Sequence, residues 1–342
     1  MFLALLALKI LYVTHSAGYR HDSLPESERV LAEAAARAGL EVTVTQDLSL
    51  ISAETLREYA AVFFFTSGEL ALSERQKSDL LAFVRGGKGF GGAHSATDTL
   101  YGWPEYGELI GAYFDGHPWA QEVAIDVEDP AHPAMRHLGN SFRIADEIYQ
   151  FRNFSRERVR VLLTLDPGSV DPGAGGVKRA GGDFALAWCR DYGAGRVFYT
   201  ALGHGEETWR DPRFRTMIEQ ALLWLAGEIP ADAAPRASAP LINPGGVVSN
   251  SGFAPGAQPG SVIAIFGAGL TSGSIVEATS APALKLAGTA VEVNGAPIPL
   301  LYASPVQVNA RLPGDLEPGA TVRVVVRSAT NASPPELLRI LP

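Results

Sequence analysis

The sequence predicts a doubly wound, mostly parallel α/β sheet followed by a smaller all-β sandwich. Three observations carry that reading. Up to about Gly227, short apolar runs rich in β-branched residues alternate with helical stretches. A Pro/Ala-rich linker, residues 228–240 (EIPADAAPRASAP), follows. Beyond it Gly, Pro and Ser dominate and helical periodicity vanishes.

In chain order, the strands expected of the first domain (1–227) are Ile10–Thr14, Glu41–Thr45, Ala61–Thr66, Gly89–Ala93, Val123–Val127, Val159–Leu165 and Arg196–Ala201. Several are apolar on both faces, as in a central sheet covered by helices on each side. Between them, Ser73-Glu74-Arg75-Gln76 is a capping box that opens a helix stopped by Gly86-Gly87. Asp211-Pro212 opens another, with Phe214, Met217, Ile218, Ala221, Leu222 and Leu225 on one stripe. In the second domain (241–342), Ser261–Phe266, Thr289–Val293 and Thr321–Val326 read as strands, and Asn294-Gly295 between Val-rich flanks reads as a hairpin turn.

With 342 residues, 46% hydrophobic and 19% charged, the chain has material for two cores. A net charge of −9 without basic runs argues against a nucleic-acid or anionic-membrane partner. No stretch reaches the ~18 apolar residues of a membrane span. Met1–Leu8 (MFLALLAL) resembles the apolar part of a secretory leader without its basic start, and is expected to be a leader remnant or an extension of the first strand. Cys189 is the only cysteine, which rules out an internal disulfide.

In a doubly wound sheet, ligands bind beyond the carboxyl ends of the strands. That rule puts Thr14–His21, His94–Asp98 and Leu202–Glu206 along one rim. His94 is the most informative position. It follows the glycine-rich strand Gly89–Ala93, where such folds turn sharply and display one side chain. His21, His117 and His204 also follow apolar segments, His117 at the expected end of a helix, and Asp98, Asp146, Glu147 and Tyr149 lie in neighbouring loops or turns. A lone histidine is most often a cap or a hydrogen-bonded core residue, but three beyond strand ends, each beside carboxylates, point to a site.

Two chemistries fit. His21, His94 and His204 with a carboxylate suit a divalent metal such as zinc, with a position left open for water or substrate. Equally, His94 and His204 supported by Glu147 and Asp98 suit metal-free acid–base work. Tyr19, Tyr101, Trp103 and Tyr149 offer faces for a sugar ring, and Arg20, His117, Asp146 and Glu206 offer polar contacts to it. Each has a plainer alternative. The aromatics fill core, Asp98 caps a helix start, Arg20 pairs with Asp22, and Asp146-Glu147 is a solvated turn. His132 and His137 read as surface or turn residues.

The ordered motifs GYRHDS, GGAHSATDT, YFDGHP, DPAHP, DEIYQF and GAGRVFYTALGH resemble the ThuA-like (trehalose utilisation) family over roughly Lys9 to Gly227. The resemblance implies a flavodoxin- and class I glutamine amidotransferase-like fold. It also implies action on trehalose or related disaccharides, including 3-keto forms. Against the amidotransferase pattern, His204-Gly205-Glu206 stands where a catalytic His-Pro-Glu follows the last strand, and His94 stands where the Cys nucleophile would be. Without a thiolate there, glutamine hydrolysis through a thioester is excluded. The expected function is a sugar-active enzyme (hydrolase, lyase or isomerase); a non-catalytic carbohydrate-binding or sensing protein is the alternative. Runs such as INPGGVVSNSGFAPGAQPGSVIAIFGAGL resemble Ig-like sandwich modules of exported bacterial proteins. That likeness implies an accessory module for cell-surface or protein contact, and a secreted or periplasmic location.

Overall fold

The computed structural model describes residues 7–171, 173–178, 183–235, 240–271, 275–278, 283–328 and 332–342. Most of the expected leader remnant, residues 1–6, lies outside them. The chain divides into two compact units between Pro235 and Arg236. No helix among the described residues is long and apolar enough to cross a membrane.

In the first unit the strands are β1 (Lys9–Val13), β2 (Glu41–Thr45), β3 (Ala61–Phe64), β4 (Gly89–Ala93), β5 (Tyr113–Phe114), β6 (Trp119–Val127), β7 (Ser141–Ile148), β8 (Phe151–Arg152), β9 (Arg160–Leu165), β10 (Ala185–Tyr192) and β11 (Gly195–Thr200). The helices are α1 (Leu24–Arg37), α2 (Ala53–Leu56), α3 (Glu74–Arg85), α4 (Pro104–Ile110), α5 (Glu206–Arg210) and α6 (Pro212–Ala226). Nine strands form one sheet in the order β2-β1-β3-β4-β11-β10-β9-β6-β7, while β5 and β8 pair separately. The β2-β1-β3-β4-β11 half is parallel. Its strands β1, β3 and β4 are almost wholly buried, which is why they read as unbroken apolar runs. The other half is an antiparallel meander.

Helix signals in the sequence translate directly. Ser73 and Gln76 form the reciprocal capping box of α3. Asp211 caps α6, Pro212 starts it, and Gly227 closes it in the left-handed conformation. The glycines of β4 serve close packing, because a methyl at Gly91 would run into the Phe63 ring and Leu225 of α6.

β6 pairs with β9 only through Ile125–Val127, at its carboxyl end. Its amino-terminal part pairs with β7 alone, from Trp119↔Ile148 onward. That free part of the hairpin carries Asp146 and Glu147, so the expected solvated turn is a strand.

His132 and the linker also differ from expectation. His132 sits in a turn but is buried, edge-on to Trp224 at 5.4 Å between ring centres. Ile229, Ala231 and Ala233 pack on the α/β core, so the first unit continues past Gly227 as far as Pro235. Buried Arg160 clasps this segment. Its Nε donates to Asp129 Oδ2 at 2.6 Å, and its Nη1 donates to Asp232 Oδ2 at 2.6 Å and to the Ala234 carbonyl at 3.3 Å.

The second unit has a five-stranded and a four-stranded antiparallel sheet. The first orders β12 (Leu241–Ser249), β13 (Val262–Ala268), β18 (Gln307–Arg311), β17 (Leu300–Ala303) and β14 (Val276–Glu277). The second orders β16 (Ala296–Ile298), β15 (Ala290–Val293), β19 (Thr321–Arg327) and β20 (Glu336–Arg339). Ile263, Ile265 and Val308 from one sheet share a core with Val291, Val324 and Leu338 from the other. Asn294 and Gly295 both have positive φ, as the two-residue hairpin turn between β15 and β16 requires.

All five tryptophans lie in the first unit, so their fluorescence during urea unfolding reports that unit. By this readout Arg160→Leu should cost about 3–5 kcal/mol, because it strips the buried Asp129 carboxylate of its cation. Asp232→Asn, at a largely exposed partner, should cost less than about 1 kcal/mol. Equal losses would show that the buried pair is not the clasp's anchor. Burial holds the His132 imidazole down at about 4, with Asp129 opposing and Arg160 and Arg136 assisting. The folded state therefore keeps His132 neutral while the unfolded chain takes up a proton below about 6.5, and stability falls as pH drops from there toward 4. Between pH 7 and pH 5, His132→Gln should lose about 2 kcal/mol less stability than the parent chain. Identical losses would exclude His132 as an acid-labile element.

Candidate active site at the carboxyl rim of the sheet

His94 follows β4 with φ +47, a conformation non-glycine residues rarely adopt, and its side chain is completely buried. Its Nδ1 lies 2.8 Å from the carbonyl oxygen of Ala201, just past the neighbouring strand β11. A carbonyl only accepts, so Nδ1 carries the hydrogen and Nε2 presents a lone pair to the site. Around Nε2 stand the Tyr149 hydroxyl at 2.8 Å, His204 Nδ1 at 3.2 Å and Glu147 Oε2 at 3.7 Å. His204 Nδ1 is 3.1 Å from Glu147 Oε2. His21, from the loop after β1, sets its ring edge-on to His94 and His204, at 4.7 and 5.3 Å between centres. One ring nitrogen from each of the three histidines falls within 4.8 Å of the others. Phe65, one residue beyond β3, backs the group with its ring centre 5.3 Å from His21 and 6.1 Å from His94.

Asp146 and Glu147 are consecutive on β7 and take separate tasks. Buried Asp146 accepts hydrogen bonds from the backbone N–H groups of Gly203 (2.8 Å), His204 (3.1 Å) and Glu147 (2.8 Å), and from the Thr208 hydroxyl (2.9 Å). Burial pushes its acid up to about 6 against the pull of those donors. Trp209 Nε1 and the Ser23 hydroxyl donate to the Gly203 carbonyl from the other side. Asp146 thus fixes the loop that presents His204 rather than meeting a ligand. Glu147 faces the imidazoles. Burial opposes its ionisation, but the hydrogen bond and charge of His204, aided by His117 and His21, hold it below the usual carboxylate range. The hydrogen bond to Glu147 raises His204 in return, against its own burial. Burial drives His94 well down and His21 down to about 4, and their neighbouring imidazoles add to both shifts.

His117 lies after β5, not at a helix end, and is largely exposed. Its Nδ1 is 3.6 Å from Glu147 Oε1, and its ring stacks on Phe114. Tyr149 is buried between His94 and Phe114, with ring centres 4.3 and 4.4 Å away. Its hydroxyl therefore meets His94 instead of offering an open face.

The remaining predicted residues stand further out. Asp98 closes the short 3₁₀ turn His94–Thr97 instead of opening a helix, and accepts from the Tyr101 hydroxyl at 2.6 Å. Tyr101 carries the Arg152 guanidinium over its ring at 4.7 Å. Tyr19 is 63% exposed and edge-on to His21, a placement open to a ligand; Arg20 is exposed beside it. Glu206 begins α5 and pairs with Arg210 at 2.6 Å. Trp103 is buried and stacked on Tyr106, so core packing accounts for it. Cys189 is buried on β10, where burial pushes its thiol far up. The sequence offers no signal for Phe65, Phe114 or the Ala201 carbonyl, since apolar side chains and backbone groups carry no motif. Arg152 could have been suspected only from its place one residue past DEIYQF.

The comparisons agree with this architecture. A ThuA-like protein from Bacteroides uniformis is 24% identical, with a TM-score of 0.50 over 64% of this chain and 91% of its own. One from Parabacteroides merdae is 20% identical, with a TM-score of 0.53 over 67% of this chain and 98% of its own. At these identities the likeness is one of fold. No curated protein matches the chain. The family model described as "Trehalose utilisation" matches residues 9–225, nearly the whole first unit, and the chain belongs to the ThuA family.

Proposed function

We propose that this protein is an enzyme acting on a trehalose-type disaccharide, in particular one carrying a 3-keto group, at the pocket of His21, His94, His204 and Glu147. The reading is carried by one observation: three imidazoles from the loops after three strands converge with nitrogens within 4.8 Å of one another, beside one carboxylate, at the ligand-binding rim of the sheet. Sugar binding alone calls for amides, carboxylates and aromatic faces, and a buried imidazole cluster adds little to it. A ketone acidifies the adjacent C–H, so proton removal there starts isomerisation or elimination. Glu147 is the carboxylate placed to accept that proton, with one oxygen toward His94 and His204 and the other toward His117. The Tyr149 hydroxyl and the imidazoles are positioned to bind sugar oxygens. We assign Tyr19, edge-on to His21, and the Tyr101–Arg152 pair to the second ring of the sugar. With Cys189 buried and remote from His94 in the sequence, a thioester route through glutamine has no nucleophile.

We assign the second unit the role of an accessory contact module of an exported protein, on the strength of its Gly/Pro/Ser-rich sandwich sequence.

The test compares the parent chain with Glu147→Gln on trehalose and 3-keto-trehalose, following products by NMR and binding by calorimetry. Turnover of the keto sugar should fall by roughly 10²–10⁴-fold in the variant, with affinity changed only slightly. A parent chain that binds the disaccharide but never converts it would make this a binding protein. Absence of both binding and turnover would overturn the sugar assignment.

A further inference from the structure

We infer that His21, His94 and His204 form a binding site for one divalent transition-metal ion of the zinc class, with Glu147 as a fourth donor. The argument goes beyond the sugar assignment and does not depend on it.

The spacing comes first. An ion holding nitrogen and oxygen donors at about 2.0–2.1 Å in tetrahedral geometry separates them from one another by about 3.3 Å. Three edges of that figure are present. His94 Nε2 to His204 Nδ1 is 3.2 Å, His204 Nδ1 to Glu147 Oε2 is 3.1 Å, and His94 Nε2 to Glu147 Oε2 is 3.7 Å. His21 offers a nitrogen within 4.8 Å of the other two, so a small inward swing of one ring completes the set.

Ring orientation comes second. His94 is locked with Nδ1–H on the Ala201 carbonyl, so Nε2 points a lone pair into the cluster. A backbone carbonyl on the far nitrogen is the usual support of a metal-bound imidazole. His204 turns Nδ1 to the same spot. Glu147 Oε2 accepts the His204 Nδ1 hydrogen; once an ion displaces that hydrogen, Nδ1 and Oε2 both turn lone pairs to the place where His94 Nε2 already points. His21 adds a third imidazole nitrogen within 4.8 Å, one donor more than that hydrogen bond needs.

The setting comes third. His94 and His21 are buried, and Phe65 and Tyr149 wall the cluster, which keeps competing water away. The Tyr149 hydroxyl shares His94 Nε2 at 2.8 Å and must turn its hydrogen away when the ion binds. Three nitrogens and one carboxylate oxygen favour zinc, cobalt or nickel over magnesium or calcium, which take oxygen donors.

The test uses the full chain stripped with a chelator and titrated with Zn²⁺ by calorimetry and with Co²⁺ by visible absorption. About one equivalent of each should bind, and cobalt should show the intense visible bands of a four-coordinate ion, while Mg²⁺ should not compete. His21→Ala and His204→Asn should each lose roughly 100-fold or more in affinity, more than a supporting residue costs. His204 is partly exposed, so that variant keeps the test valid if the variant at buried His21 fails to fold. His137→Ala, outside the cluster, should bind as the parent does. Substoichiometric uptake, or affinity unchanged in both His21→Ala and His204→Asn, would overturn the metal site. Sugar turnover by metal-free protein at the full rate would overturn any part for the ion in that chemistry. Tight metal binding without sugar turnover would overturn the sugar assignment alone.

Discussion

The site depends on the hydrogen bonds by which Asp146 captures the loop after β11. Four strands separate β4 from β7 in the sheet order. In a flat sheet, five spacings of about 4.8 Å would put them ~24 Å apart. Glu147 nevertheless lies 3.7 Å from His94. The amino-terminal end of β6 is released from β9, which lets the β6–β7 hairpin turn toward the carboxyl rim. Trp119 anchors β6 at this end by packing on Phe184 and donating to the Asp171 carbonyl at 3.0 Å. Asp146, with two backbone N–H groups and a hydroxyl from the β11–α5 segment, ties the hairpin to the loop that carries His204. The same bonds set the position of His204 and, one residue on, that of Glu147.

The parallel half of the sheet supplies the opposite wall. Adjacent parallel strands end level with one another, so Ala93 of β4 stands beside Thr200 of β11. The next residues, His94 and Ala201, are therefore in reach, and the imidazole meets a backbone carbonyl that decides its tautomer. The loops after β1 and β3 are held by a tighter constraint. Gly68, at φ +74, lies so close against Gly18 that a side chain there would overlap the Gly18 backbone. The Ser67 hydroxyl also donates to the Tyr19 carbonyl at 2.6 Å, which steadies the segment leading to His21.

These two halves differ in how far the sequence reveals them. Buried parallel strands are apolar on both faces and cannot be mistaken, so β1, β3 and β4 stand out, and with them the rim that holds His21, His94 and His204. Helix ends announce themselves through chemistry that acts within a few residues, as at Ser73, Gln76 and Gly227. β7 alternates polar and apolar side chains only as far as Ile144 and carries two adjacent acids just before its last residue, a pattern it shares with a solvated turn. Only long-range pairing with β6 tells them apart. Asp98 has the composition of a helix cap, but the turn it belongs to ends there. His132 looks like a loop residue because nothing local records that Trp224, far along the chain, covers it. The segment after Gly227 has a linker's composition, yet Arg160 and the α/β core hold it.

Neighbouring residues on a strand point to opposite sides, and that alternation lets one Asp-Glu dipeptide serve two ends. Asp146 turns inward, where every lone pair meets a donor, and its task is mechanical. Glu147 turns to the imidazoles, where donors are few and its charge is available. Exchanging the two side chains would fail on both counts, since the longer one would not fit the Gly203–His204 amides and the shorter one would not reach His204. The position after β4 follows the same logic. A sharp turn there displays whatever side chain occupies it, and with a thiol it would make a nucleophile. With an imidazole held by a carbonyl on one nitrogen, it makes a fixed lone pair aimed at two more histidines. One fold can thus carry either chemistry, and the difference rests on which side chain stands at the elbow and on what the curled hairpin brings to face it.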